Sequence, residues 1–359
     1  MLEVSLKKSL PGFNLEVAFS VNQEILAILG PSGSGKTMTL QCIAGLIKPD
    51  EGFIKLNDKV LLDSAGHINL LPQTRQVGFV FQNYALFPHL TVKDNIAYGI
   101  SHLPKEEIKI KVSELLEKMH ISNLGHRYPR QLSSGQQQRV ALARAIAPEP
   151  EVLLLDEPFS ALDSQVKERL ELELLTLQNF YKGNILFVTH NLAEGYKLAS
   201  KIAVYDSGRI VQCDFKNRVI ASPSNRTVAR LTGVRNLMRG SITEIKDLSV
   251  RVLVPELGGT LKVTMDNTAG LAPEQNVTIG IRPEFIHITD HPGDNAFPCT
   301  ADRIVEGISI LECFFHVNTE ITPRHWVEVS LPKLHAPHVP EGHKCYVYLP
   351  PEHVAVIRE

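Results

Sequence analysis

Two spacings of apolar residues divide the first 230 positions. Residues 3–6 (EVSL) and 14–21 (NLEVAFSV) alternate apolar with polar, the period of short strands, with a turn containing Pro11 and Gly12 between them. Three other runs, EILAILG (24–30), EVLLLDEP (151–158) and NILFVTH (184–190), are apolar without alternation, as in strands buried on both faces. Helical spacing fills the stretches between. Ile108, Val112, Leu115 and Met119 fall on one face of a helix over 105–119, and residues 133–147 and 166–181 predict two more. Apolar strands alternating with helices imply a parallel sheet with crossover helices.

After about residue 232 the pattern changes to short strands broken by Gly, Pro and Asn. This predicts a domain over 1–232, with a helical subdomain at about 84–147, and an all-β domain over 233–359. The second domain carries a weak repeat. Asn236 opens a segment ending IGIRPEFIHI, and Asn295 opens one ending VYLPPEHVAVI. Either two halves close into a small barrel of the OB type, or two β segments are alike by chance.

Length and charge narrow the function classes. A chain of 359 residues is long enough for about two domains. Its 37 basic and 39 acidic residues give a formal charge of −2, so no global field favours a polyanion, and no nucleic-acid partner is expected. Five cysteines, odd in number and without C-x-x-C spacing, point to a reducing compartment rather than a disulfide framework or zinc site. With no apolar run of about 18 residues and no apolar leader after Met1, neither a membrane span nor an export signal is expected.

The chemistry begins at Gly30-Pro31-Ser32-Gly33-Ser34-Gly35-Lys36-Thr37, which matches G-x-x-x-x-G-K-[ST] after a strand and before a helix that includes Met38. Glycines at 33 and 35 let backbone N–H groups converge on phosphate oxygens, and the helix adds the positive end of its dipole. Lys36 is placed for the β- and γ-phosphates of a nucleotide, and the Thr37 hydroxyl for Mg²⁺. The strand EVLLLDEP ends in two acids. Asp156 suits the magnesium shell, and Glu157 suits a general base that polarises water.

Ser133, Ser134 and Gly135 lie at a helix start, where a hydroxyl and free N–H groups make a second anion site. The string QLSSGQQQRVALARAIA, with Gln136 following, resembles the signature of ATP-binding-cassette (ABC) ATPases, usually written LSGGQ. Other elements of that family occur in order: Gln82 matches the Q-loop, Ser160-Ala161-Leu162-Asp163 the D-loop, and His190 the switch histidine. The resemblance implies an α/β P-loop ATPase in which two copies face each other head to tail, so that the P-loop of one and the signature of the other sandwich each ATP. It further implies that Gln82 senses magnesium and the membrane partner, His190 contacts the γ-phosphate and Glu157 prepares the water. Phe13 occupies the region where family members stack an aromatic on adenine, and equally suits a core position at a strand start. Two positions depart from the family pattern: Ser134 stands where Gly is common, and Asn191 follows His190 where Asp is usual.

Two jobs compete for such an ATPase. One is the detached ATPase subunit of an importer, bound to the cytoplasmic face of the membrane and driving separate permease subunits that receive solute from an extracytoplasmic binding protein. The other is a soluble ABC ATPase acting on nucleic acid or ribosomes, a class that tends to carry two cassettes, a coiled-coil insertion or a basic tail. NYALFPHLTVKDNIAYG (83–99) is similar to the Q-loop segment of importers, and the β domain resembles the TOBE domain of the importers for sugars, polyamines, ferric iron and oxyanions. Within that group, residues 61–90 are most similar to ATPases of molybdate, tungstate or sulfate importers. A regulatory anion pocket in the β domain would draw on the neighbourhood of Ser309 and Lys333.

Overall fold

The computed structural model describes residues 1–160, 162–177, 180–265, 267–317, 325–335 and 340–358. They form two compact units, Met1–Lys216 and Asn217–Glu359. Ala161 of the D-loop lies outside the described residues.

The first unit opens with a hairpin of β1 (Leu2–Leu10) and β2 (Phe13–Val21), in which Leu10 faces Phe13 across Pro11-Gly12. Strand β3 (Ile25–Leu29) is buried at all five positions and leads through the Gly-rich turn into α1 (Lys36–Ala44). Then come β4 (Glu51–Leu56), β5 (Lys59–Asp63), β6 (Ile68–Asn69) and β7 (Val77–Val80). Helices α2 (Val92–Ala97), α3 (Lys105–Lys118) and α4 (Ser134–Ile146) follow without an intervening strand. The chain returns through β8 (Val152–Asp156), α5 (Ser164–Leu177), β9 (Asn184–Thr189) and α6 (Leu192–Leu198) to the hairpin of β10 (Lys201–Asp206) and β11 (Arg209–Phe215).

These strands make one eleven-stranded sheet in the order β6-β5-β4-β1-β2-β11-β10-β3-β9-β8-β7. Its β10-β3-β9-β8-β7 half is parallel, as the uninterrupted apolar runs require. The other half, built on β1, β2, β4 and β5, is antiparallel, so the expectation of a parallel sheet holds for half of it. Those strands bury one face only: Leu2, Val4 and Leu6 point inward while Glu3, Ser5 and Lys7 do not. Parallel topology needs cover on both faces, and these strands lack the apolar residues for it.

Helices α7 (Lys216–Ala221) and α8 (Arg226–Leu231) belong mainly to the second unit, so the boundary by contacts precedes the compositional one near 232. Arg282 holds them to the β domain, donating to the carbonyls of Thr232 at 3.0 Å and Ile220 at 2.7 Å. The strands are β12 (Asn236–Lys246), β13 (Ser249–Val254), β14 (Gly259–Thr264), β15 (Asn276–Ile281), β16 (His287–Thr289), β17 (Ala296–Glu306), β18 (Ile310–Val317), β19 (Trp326–Pro332), β20 (Lys344–Tyr348) and β21 (Ala355–Arg358). They form two antiparallel sheets, β14-β13-β12-β15-β21 and β16-β20-β17-β18-β19, around a shared apolar core.

The repeat is real in three dimensions. Each half is a four-stranded antiparallel Greek key, its fourth strand returning beside its first (β15 on β12, β20 on β17), and lends its fifth strand to the other sheet: β16 pairs with β20, and β21 with β15. A bulge interrupts β12 between Ile242 and Glu244, and another interrupts β17 between Ala301 and Arg303, each at the same distance from its opening asparagine. The equivalent residues Phe285 and His353 stack on each other, with ring centroids 4.2 Å apart. At the neighbourhood expected for an anion pocket, the local contacts are internal. The Lys333 N–H does donate to the Ser309 carbonyl at 2.9 Å, but Ser309 lies on an exposed hairpin turn and the Lys333 ammonium pairs with Glu306.

Candidate functional site

The Gly-rich turn is shaped by close approach. A side chain at Gly30 would sit 2.5 Å from the Tyr205 carbonyl oxygen. Gly35 has φ 99°, and a Cβ there would meet Leu15 at 2.6 Å. With no side chains in the way, the N–H groups that open α1, from Lys36 through Met38, lack partners within the helix. The Met38 side chain packs against the core, which leaves its backbone for the turn. Ser34 is buried, and its hydroxyl has no hydrogen-bond partner. Pro31, Ser32 and Gly33 are exposed.

Lys36 is buried and folds back over the turn, donating to the carbonyls of Gly30 at 2.9 Å and Pro31 at 2.8 Å. Burial pushes its ammonium pKa down, against the opposing pull of Glu157 and Asp156. A buried cation resting on carbonyl oxygens has the donors to exchange them for phosphate oxygens. Thr37 Oγ1 donates to Asp156 Oδ1 at 2.8 Å, tying the turn to the end of β8. Asp156 is buried, and burial raises its carboxyl pKa, which the Thr37 hydrogen bond partly offsets.

A second cluster lies one residue on. Glu157 adopts φ 45°, and its Oε2 accepts from Gln82 Nε2 at 3.2 Å while His190 Nδ1 stands 3.8 Å away. The three side chains come from three connections: after β7, after β8 and after β9. All are at the carboxyl ends of parallel strands, where open α/β sheets place their ligands. Asn191 caps α6, its Oδ1 accepting from the N–H groups of Ala193 at 2.8 Å and Glu194 at 3.4 Å.

Beside the turn is a cavity of about 600 Å³ lined by Phe13, Pro31, Ser32, Gly33, Ser34 and Arg209 among others. Phe13 also packs against the core. Arg209, at the start of β11, was not expected here. It carries no motif, and only the pairing of β11 with β2 brings it to Phe13.

Ser133 caps α4: its hydroxyl accepts from Gln136 N–H at 3.4 Å, and Gln136 Oε1 accepts from Ser133 N–H at 3.1 Å. Gly135 is buried under Val166, where a Cβ would stand 2.6 Å from the valine methyl. Ser134, by contrast, is half-buried at the first helical position and tolerates its side chain.

Comparison with known proteins decides the family. The sequence profile of the ABC transporter family matches residues 15–160. A spermidine/putrescine import ATP-binding protein, PotA, of Nitrosospira multiformis is 39% identical over 275 residues, 76% of this chain and 73% of its own. The chain belongs to the ABC transporter family. A sulfate/thiosulfate import ATP-binding protein, CysA, of Mycobacterium bovis is 46% identical over 228 residues, 63% of each chain. Among solved structures, the ATP-binding cassette MJ0796, a dimer bound to ADP and Pi in a post-hydrolysis state, is 29% identical with a TM-score of 0.52, covering 60% of this chain and 99% of its own. As an ABC ATPase the chain hydrolyses ATP to drive transport, and its β sheets are consistent with a TOBE domain.

Proposed function

We propose that this chain is the ATPase subunit of an importer for a small oxyanion, acting as a head-to-tail pair beneath separate permease subunits on the cytoplasmic face of the membrane. The observation that carries the ATPase reading is the meeting of Lys36, the Thr37–Asp156 pair and the Glu157–Gln82–His190 cluster at one end of the sheet.

In this reading the turn N–H groups and Lys36 hold the phosphates of ATP, and Phe13 carries the adenine. The oxygens of Thr37 and Asp156, with the Gln82 amide, are hard donors of the kind Mg²⁺ takes, and the raised carboxyl of Asp156 is what a nearby cation would relieve. Bound there, Mg²⁺ neutralises charge on the phosphates. Glu157 accepts a proton from the attacking water, Gln82 and His190 fix its carboxylate, and Ser133, Ser134, Gly135 and Gln136 reach the nucleotide held by the other copy.

Support for the oxyanion comes from the 46% identity to the sulfate/thiosulfate relative. A polyamine is the second reading, favoured by the longer span matched to the spermidine/putrescine relative. The test is ATP turnover of the chain assembled with its permease and binding protein, supplied with sulfate, molybdate, tungstate, spermidine or putrescine. Stimulation by an oxyanion supports the first reading, and stimulation by a polyamine alone replaces it with the second. A Glu157→Gln chain that still hydrolyses ATP at the wild-type rate removes Glu157 from the role of base.

A further inference from the structure

Arg144 lies ten residues into α4, the helix that Ser133 caps. Its guanidinium reaches across to the loop after β7, donating from Nη1 to the Ala85 carbonyl at 2.7 Å and from Nη2 to the Tyr84 carbonyl at 2.8 Å. Both residues it grips have left-handed backbones, Tyr84 at φ 63° and Ala85 at φ 46°. Neither is glycine, so the conformation persists only where contacts over-determine it. Arg144 also stands over the Phe87 ring at 5.3 Å, and Phe87 packs on Tyr98 at 4.4 Å. The Phe87 backbone is fixed in turn by the fully buried Asn95, whose amide takes its N–H at 2.9 Å and donates to its carbonyl at 3.1 Å.

Gln82, two residues before Tyr84, touches Glu157, while Ser133 begins the helix that carries Arg144. We propose that Arg144 is the positioning residue that makes the Gln82 loop and the Ser133–Gln136 helix start one body, so that a displacement of either is imposed on the other. The proposal rests on the reading of the chain as half of an ATP sandwich. Burial lowers the Arg144 pKa, and its hydrogen bonds go to carbonyls rather than a carboxylate, so the cation serves geometry rather than charge pairing. A lysine offers a single point of donation and cannot span two successive carbonyls.

Loop and helix each hold a buried polar atom without a hydrogen-bond partner, Tyr84 Oη and Gln138 Oε1.

The test uses the full chain in a Glu157→Gln background, with Arg144→Lys and Arg144→Gln added separately. ATP-driven dimerisation is followed by light scattering, and ADP affinity by calorimetry. We expect each added substitution to raise the ATP concentration needed for dimerisation by about tenfold, in the range of coupling between sites, with ADP affinity unchanged. An unchanged dimerisation midpoint overturns the role of Arg144, and so does an equal loss of ADP affinity, which marks a purely structural residue. Failure of Glu157→Gln alone to dimerise overturns the sandwich reading and the proposal with it. Hydrogen exchange of the unsubstituted chain needs no variant to fold: residues 82–87 and 133–137 should gain protection together on ATP binding, and protection of one segment alone overturns the coupling.

Discussion

The hydroxyl of Thr37 donates to Asp156 Oδ1 across 2.8 Å, joining residues 119 positions apart in the chain. Two oxygens of the kind Mg²⁺ takes thereby stand side by side. Thr37→Ala and Asp156→Asn should each reduce magnesium-stimulated ATP hydrolysis by roughly 10- to 100-fold, as loss of a metal-shell contact does. Nucleotide binding measured in EDTA should change little, because Lys36 and the turn N–H groups remain. Equal loss with and without magnesium would place the pair outside the metal site.

Arg75 is fully buried, 1% exposed, and donates to four acceptors: the carbonyls of Leu70, Cys42 and Ile43, and Asn69 Oδ1. Two of these carbonyls close α1, which has no basic residue of its own in its last turn. The cation thus meets the negative end of the helix that begins at Lys36. Arg75→Leu would remove all four hydrogen bonds, at a cost of roughly 3 kcal/mol, although the Cys42 carbonyl keeps the Gly45 N–H at 3.1 Å. Urea denaturation should show a lower midpoint with an unchanged slope. A midpoint within error of the parent would mean that water replaces the guanidinium.

Arg75 also marks what the chain does not disclose locally. The strand-turn-helix at 25–44 and the two acids at the end of β8 are legible because each is a contiguous motif. Lys36 and Thr37 lie in the first of these runs, and Asp156 and Glu157 in the second. Arg75, Arg144 and Arg209 were not legible. Each sits in an ordinary sequence context and acquires its role from a segment 32 or more residues away. The antiparallel half of the sheet was missed for a related reason, since alternation reveals a one-faced strand but not its neighbour. The repeat was visible as two similar endings, but the exchange of last strands between its halves depends on pairing alone.

Asn236 and Asn295 test how far the two halves are equivalent. Asn236 Oδ1 accepts from Glu328 N–H at 2.8 Å, and its Nδ2 donates to the Glu328 carbonyl at 2.8 Å. Asn295 does the same to Lys262, at 2.8 Å in both directions. A carboxylate keeps the acceptor and loses the donor, so Asn236→Asp and Asn295→Asp should each cost roughly 2 kcal/mol by facing an oxygen with an oxygen. The Asn295 amide also donates to Leu349 at 2.9 Å, so its substitution should cost more. Chemical denaturation of both variants decides the order, and a larger loss at Asn236 would contradict it.

His325 gives the β domain a stability that depends on pH. Burial holds its imidazolium pKa below the ordinary 6.5, against the opposing charge of Glu256, and its Nε2 has no hydrogen-bond partner. A folded state that resists protonation binds fewer protons than the unfolded chain once the pH falls below that value. The His325 contribution is therefore whole above about pH 6.5. It is lost as the pH falls through the depressed folded value. Glu256 limits the size of the effect, because its carboxylate favours the charged ring. His325→Phe keeps an aromatic in the same place and removes the titration, so its thermal midpoint should fall less than that of the parent between pH 7.5 and pH 5. Parallel loss in the two chains would assign the acid sensitivity to other groups. A variant less stable than the parent at pH 7.5, with the same slope, would show that the ring is held by packing rather than strained by its neutrality.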